Sequence, residues 1–496
     1  MNTPICDFVS SYIASGSSRL HMPGHKGHGP LFIEQRDITE ISGADILSEA
    51  SGIIGESQAN AAQLFGSGMT LYSTEGSSLA IRAMLFLALQ RFSARSGNSA
   101  SGLTPAAHTA SSVRRSVAPR SADAASRRPV VLAARNAHKS FLYACALLDC
   151  EIEWIYPKEH ELSSVCACHP TAAQVSTQLR AMETPPFAVY LTSPDYLGTE
   201  ADIREITDAV DAVYGKNTVP VLVDNAHGAY LHFLATPRHP LDLGAYMCCD
   251  SAHKTLPVLT GGAYLHFSRT AAGELGGAAR HAMALFGSTS PSYLILQSLD
   301  FCNAYLCDNY EKRLAACIRR VDGLKSYLRM LGITIPDSEP LKLVIDAAPR
   351  TGTALASLFR KYRIEPEFAD VNYVVCMFTP DNATQDFLRL AELYRDVPEI
   401  WNLPTQSAAD TPAPAASAFH APQLRLKPLQ RALSVREAIF ASQEEIDVRK
   451  SAGRICAQPT VSCPPAIPIA VSGELIDASL IPVFLAYGIG TVSVVR

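Results

Sequence analysis

A carboxylate and an amine lie thirty residues apart in settings that suit them for chemistry. The apolar run Val219-Pro220-Val221-Leu222-Val223 ends in Asp224 and continues Asn225-Ala226-His227-Gly228. Lys254 stands in Asp250-Ser251-Ala252-His253-Lys254-Thr255, shortly before Thr260-Gly261-Gly262. Taken singly, an aspartate at a strand end is a turn or cap residue, and a lysine is a solvated charge. Together they are what pyridoxal phosphate chemistry asks of a protein: a carboxylate for the pyridinium nitrogen and an amine for a Schiff base.

Such a cofactor also needs backbone N–H groups and hydroxyls for its phosphate. Gly76-Ser77-Ser78 opens the apolar stretch 79–92 and offers both at the positive end of a helix. A plain serine cap is the alternative. Arg135-Asn136-Ala137-His138-Lys139-Ser140 follows the run Val130-Val131-Leu132-Ala133-Ala134 and puts an imidazole at a second strand end, where it can stack on a flat ring. Thr192-Ser193-Pro194-Asp195 closes a third run with hydroxyls suited to a phenolic oxygen.

The runs at 130–134, 187–191 and 219–223 are separated by helix-length segments, as buried parallel strands are. The fold expected is a doubly wound α/β domain over about residues 60–300, with ligands beyond the carboxyl ends of its strands. Residues 59–92 read as two helices around a glycine-serine turn, 434–454 as helical and 467–495 as β-prone. The division expected is an N-terminal arm (1–58), a major domain (59–305), a smaller α+β region (306–402), a linker (403–422) and a C-terminal domain (423–496). Within the major domain, 93–128 holds six arginines and the single acid Asp123 without an apolar period, and reads as a disordered surface insertion.

Composition narrows the function. Of 496 residues 48% are apolar and 18% charged, which excludes a chain disordered throughout, and a net charge of −5 argues against a general nucleic-acid binder. The longest apolar stretches, 83–89 and 480–487, fall far short of the roughly 18 residues of a membrane span, and the start lacks a secretory pattern. A cytoplasmic location without a membrane partner is expected. Thirteen cysteines, with no paired C-x-x-C, read as reduced thiols, Cys166-Ala167-Cys168-His169 and Cys248-Cys249 included, and no metal is expected.

The chain resembles the pyridoxal-phosphate-dependent ornithine/lysine/arginine decarboxylases of the aspartate-aminotransferase fold, in a short form without a receiver-like domain. The resemblance runs nearly end to end. It rests on His21-Met22-Pro23-Gly24-His25-Lys26-Gly27, Asp37-Ile38-Thr39-Glu40, Arg135-Asn136-Ala137-His138-Lys139-Ser140, Thr192-Ser193-Pro194-Asp195-Tyr196-Leu197-Gly198, Ser251-Ala252-His253-Lys254-Thr255-Leu256, Arg436-Glu437-Ala438-Ile439-Phe440-Ala441 and Pro464-Pro465-Ala466-Ile467-Pro468. It implies a fold-type-I major domain with a small C-terminal α+β domain, and decarboxylation of arginine, lysine or ornithine to agmatine or a diamine.

By the resemblance, Lys254 forms the Schiff base (the internal aldimine, leading to a quinonoid), Asp224 pairs with the ring nitrogen and His138 stacks on the ring. Gly76, Ser77, Ser78, Ser251 and His253 surround the phosphate, and Ser193, Ala226 and His227 line the cofactor. Thr289, in Ser288-Thr289-Ser290-Pro291, matches a segment that reaches the neighbouring subunit's phosphate, so a homodimer or larger homo-oligomer with shared sites is implied. His21, His25 and Lys26 belong to an arm that reaches a partner or simply packs. Glu474 matches an acidic position of the family's C-terminal domain, either for the substrate's distal cation or as a surface or dimer-contact carboxylate. The chain departs from the family at Glu75 (usually Asn), Asn225 (an acid), Gly261 (Gln), Cys463 (Tyr) and Ala466 (Gly). Another reaction on the same fold, transamination or retro-aldol cleavage, and a non-catalytic regulatory relative stay open as alternatives.

Overall fold

Short runs of Val, Leu, Ala and Tyr bounded by polar residues form the strands of one seven-stranded sheet. In the computed structural model, which describes residues 1–95, 128–157, 168–401, 428–459 and 468–496, they are β1 (Met69–Ser73), β2 (Val130–Ala134), β3 (Glu151–Ile155), β4 (Ala188–Thr192), β5 (Val221–Asp224), β6 (Met247–Asp250) and β7 (Ala263–Phe267). Their spatial order is β1-β7-β6-β5-β4-β2-β3. β7 runs antiparallel to both its neighbours, and the remaining pairs are parallel. Register sets Thr192 beside Asp224 and Asp224 beside Cys249. The loops after β1, β2, β4, β5 and β6 therefore leave the sheet along one edge, where open α/β sheets bind ligands.

The three expected strands are β2, β4 and β5. β1 separates the two helices read over 59–92, which are Ile53–Leu64 and Gly76–Arg95. Its pairing partner β7 lies far along the chain, out of reach of a local pattern. The helix Gly76–Arg95 buries Ile81, Met84, Leu85 and Leu87 completely, because the sheet and the helices Lys139–Leu148 and Arg269–Phe286 pack around it. An apolar surface on all sides suits such a central helix.

The same helix takes in residues 93–95 of the expected insertion. At its other end Arg128 meets Asp149 at 3.0 Å, Glu151 at 3.1 Å and Glu437 at 3.3 Å. Residues 96–127, like the expected linker 403–422, lie outside the described residues. The boundaries at 58/59 and 305/306 fall within the helices Ile53–Leu64 and Tyr293–Cys307. Near the N-terminus the helix Pro4–Ala14 is tied down by Asp300, whose Oδ2 accepts the N–H groups of Ile5 (3.0 Å) and Cys6 (2.9 Å).

A second sheet has the order β8 (Lys342–Asp346), β10 (Tyr373–Met377), β9 (Phe368–Ala369), all antiparallel. In the C-terminal region the expected helix over 434–454 is corrected. It spans only Val435–Phe440, after which β11 (Gln443–Asp447) pairs antiparallel with β12 (Thr491–Val495). Long-range pairing overrides the helix preference of Gln443, Glu444 and Glu445. The β-prone stretch ends in β12 but also holds the helix Ile481–Ala486. Among the described residues no helix is long and apolar enough to cross a membrane.

Candidate active site

Lys254 sits in the short helix Ala252–Thr255 just beyond β6, and its Nζ lies 3.0 Å from Nε2 of His227. Burial lowers the pKa of Lys254, with the negative charge of Asp224 acting against it. Burial, and then the charge of Lys254, hold His227 well below the usual imidazole range. Two nitrogen bases this close, both shifted toward neutrality, share at most one proton.

Asp224 ends β5 and is 3% exposed. Its Oδ2 accepts the Tyr190 hydroxyl at 3.3 Å, and the Cys249 thiol approaches Oδ1 at 3.8 Å. Burial raises its pKa against the opposing charge of Lys254. These contacts are long, so the carboxylate keeps capacity for a stronger, charged donor.

His138 is the N-cap of the helix Lys139–Leu148. Its Nδ1 accepts the Ser140 N–H at 3.1 Å, which leaves the ring proton on Nε2. Burial, followed by the charges of Lys254 and Lys139, pushes its pKa down to about 4, so it is a neutral ring near pH 7. Hydroxyls then join three loops: Ser140 Oγ donates to Ser78 Oγ at 2.8 Å and Ser251 Oγ to Ser77 Oγ at 2.9 Å. Gly76 has φ +69° and open space where a Cβ would stand, and its N–H meets the Gly261 carbonyl at 2.7 Å. His253 Nδ1 donates to the Gly262 carbonyl at 3.0 Å. Ser193 Oγ accepts the Ala201 N–H at 3.0 Å, which frees its hydroxyl proton to donate elsewhere.

These groups fit pyridoxal phosphate. A buried carboxylate has room for a charged donor, an amine acts on it electrostatically, a neutral imidazole caps the helix Lys139–Leu148, and serine hydroxyls surround an open glycine turn. Thr289 is exposed, and no hydrogen bond among the described residues joins it to this cluster. Its neighbour Ser288 donates its N–H to Glu75 Oε1 at 2.6 Å, which occupies the carboxylate that replaces the family's asparagine. Gly261 also has a structural reason: at φ +100° a Cβ would come within 2.9 Å of the Thr74 carbonyl oxygen. Cys463 and Ala466 lie outside the described residues.

Glu474 is neither a substrate-facing acid nor a surface or dimer-contact carboxylate. It is 3% exposed, and Arg135 grips both of its oxygens at 2.8 Å.

Around the cluster stand charges whose roles the sequence reading missed. Lys342 is fully buried, with Nζ 3.2 Å from Glu339 Oε1, and it donates to the Asp195 carbonyl at 3.1 Å. Tyr230 donates to Glu339 as well. Glu367 is exposed and accepts the Tyr196 hydroxyl at 2.6 Å, and its charge acts on Lys254 and His253. Lys342 and Glu367 come from the second sheet, and no local pattern flags them. His239, Cys248 and Asp250 bring three possible metal donors together. There, however, the N–H of Leu241 meets His239 Nδ1 at 3.4 Å, so Nε2 carries the proton and donates it to Asp250 at 3.0 Å.

A family model, Orn/Lys/Arg decarboxylase, major domain, matches residues 109–344. The uncharacterized protein YaaO of Bacillus subtilis (strain 168) is 28% identical, over 96% of this chain and 92% of its own. The arginine decarboxylase of the same organism is 25% identical, over 96% and 91%. Among solved structures the constitutive lysine decarboxylase of E. coli superposes with a TM-score of 0.72 at 16% identity, over 100% of this chain and 82% of that one, a likeness of fold. Over nearly its whole length the chain is thus similar to enzymes of the Orn/Lys/Arg decarboxylase family, whose major-domain model it matches over 109–344.

Proposed function

We propose that the chain uses pyridoxal 5′-phosphate to decarboxylate a basic amino acid, arginine, lysine or ornithine, to carbon dioxide and the corresponding amine. One observation carries this reading: Asp224 at the end of β5, Lys254 in the helix after β6 and His138 after β2 come together at the carboxyl edge of the sheet, with the charge of Lys254 acting on both of the others. The bound cofactor supplies an electron sink for the pair released when the Cα–carboxylate bond breaks.

The protein's own residues supply the rest. Asp224 would hold a proton on the ring nitrogen, because an anion in a desolvated site favours the cationic partner. His138 would stack on the ring as a neutral imidazole, and the small Ala226, two residues after Asp224, would leave room for it. Gly76, Ser77, Ser78, Ser251 and His253 would take the phosphate, and the Ser193 hydroxyl would donate to the phenolic oxygen. Lowered in pKa, Lys254 is more readily a neutral nucleophile, and His227 at 3.0 Å takes or returns the proton at Nζ. The charge of Lys342 acts on Lys254 and His227 in the same direction as burial, lowering both. Glu367 is the exposed carboxylate whose charge reaches Lys254, and it receives the substrate's distal cation. A homodimer fits the exposure of Thr289 and of the apolar Leu31 and Phe32, which are 69% and 87% exposed in one chain.

Borohydride reduction of the reconstituted protein, followed by peptide mass mapping, tests the cofactor assignment. The label is expected on Lys254 alone; a label elsewhere, or none, contradicts it.

A further inference from the structure

His138 lies between two points at which the C-terminal region grips the major domain. Three residues before it, Arg135 is 1% exposed and paired in a fork with the buried Glu474: Nη1 to Oε1 and Nη2 to Oε2, both 2.8 Å. Glu474 Oε2 also accepts the Val471 N–H at 2.8 Å. The turn that presents Glu474 depends on Gly473, at φ +92°, where a Cβ would overlap the Leu433 carbonyl. The guanidinium lies over the Trp154 ring at 4.9 Å, and the Arg135 N–H continues the β2–β3 ladder to the Ile155 carbonyl at 3.1 Å.

The second grip follows His138. Arg436, in the helix Val435–Phe440, donates to the Ala146 carbonyl at 2.8 Å near the end of the helix that His138 caps. Val435 and Val471 share a buried cluster with Phe141, Leu142 and Cys145 of that helix. The imidazole is therefore carried on a four-residue loop, 135–138, whose entry and exit are both fastened to the C-terminal region.

We infer that Glu474, acting through Arg135, is a positioning residue that sets the plane of His138 against the cofactor ring, so that the C-terminal region takes part in holding the cofactor. The inference rests on the proposed pyridoxal phosphate site. A buried ion pair is weak evidence for stability, since apolar residues of like volume often serve as well. Its fork geometry fixes direction, which is what a ring-stacking group needs. A displacement of about 1 Å at such a group costs on the order of 10²-fold in rate.

The test titrates pyridoxal phosphate into the cofactor-free full chain of wild type, Glu474→Gln, Arg436→Ala and Val492→Ala, recording affinity, visible circular dichroism per bound cofactor and Tm. Val492 is buried in the β11–β12 pair opposite Ile446, takes no part in the Arg135–Glu474 pair, and serves as the control for destabilisation of the C-terminal region. Glu474→Gln is expected to weaken cofactor binding about tenfold and to change the dichroic band. Arg436→Ala should do the same more mildly, and Val492→Ala should lower Tm with the band intact. The inference is overturned if Val492→Ala changes the band as Glu474→Gln does, or if Glu474→Gln lowers Tm alone. If Glu474→Gln does not fold, an unchanged band in Arg436→Ala overturns it. Wild type that shows no cofactor band at all would instead count against the site itself.

Discussion

Asn225 Nδ2 donates to Asp250 Oδ1 at 2.7 Å, across the ends of β5 and β6. The acid expected after the strand-end aspartate thus stands one strand over, where Asp250 also accepts from His239 at 3.0 Å and meets His266 at 3.3 Å. Burial acts against that charge, but the two histidines hold the Asp250 carboxyl well below the usual range. Restoring an acid by Asn225→Asp would bury two facing carboxyls. Urea denaturation at pH 7 should show a loss of about 3 kcal/mol. The new acid would have a raised folded-state pKa, so the deficit should shrink as pH falls. A neutral outcome at pH 7 would mean that Asp250 is already protonated.

His138 provides a pH signature. Its folded-state pKa of about 4 lies below the ordinary 6.5. The stability this represents is fully present above pH 6.5 and is lost as pH falls toward 4, at most about 3 kcal/mol. Asp195, raised by burial to about 6, works in the opposite direction over the same range. The comparison should therefore be between cofactor-free wild type and His138→Phe. The variant's unfolding free energy should fall less steeply between pH 6.5 and 4, and parallel curves would refute the assignment.

How much of this was legible in the sequence depended on distance along the chain. Asp224, Lys254, His138 and the serines each follow an apolar run or a glycine turn, so local pattern marks them as candidates. β2, β4 and β5 were found the same way, because strands buried on both faces read as apolar runs. β1 was missed because Met69 to Ser73 becomes a strand only by pairing with β7. Lys342 and Glu367 reach the site from the second sheet, so nothing beside them in sequence marks them. Glu474 reads locally as an acid for substrate, solvent or a dimer contact, since its partner Arg135 lies more than three hundred residues earlier.

His227 should prove a proton carrier. Replacing it by Phe keeps a ring but removes Nε2, and turnover should fall roughly 10²-fold while the cofactor stays bound. The pH dependence of kcat should lose one limb. Unaltered kcat would show that its contact with Lys254 has no part in the reaction.

Glu367 should govern substrate affinity. Glu367→Gln removes the charge and keeps the shape, so KM for the basic substrate should rise about tenfold or more, with a smaller effect on kcat. Steady-state kinetics on arginine, lysine and ornithine would check this, and an unchanged KM would place the distal cation elsewhere.

The central claim is tested most directly by measuring carbon dioxide and amine release by the cofactor-loaded protein, on arginine, lysine and ornithine separately, with Lys254→Ala as control. The account predicts release from at least one of the three, lost in the variant. Release from none, with cofactor bound through Lys254, would contradict it and point to another reaction on this fold.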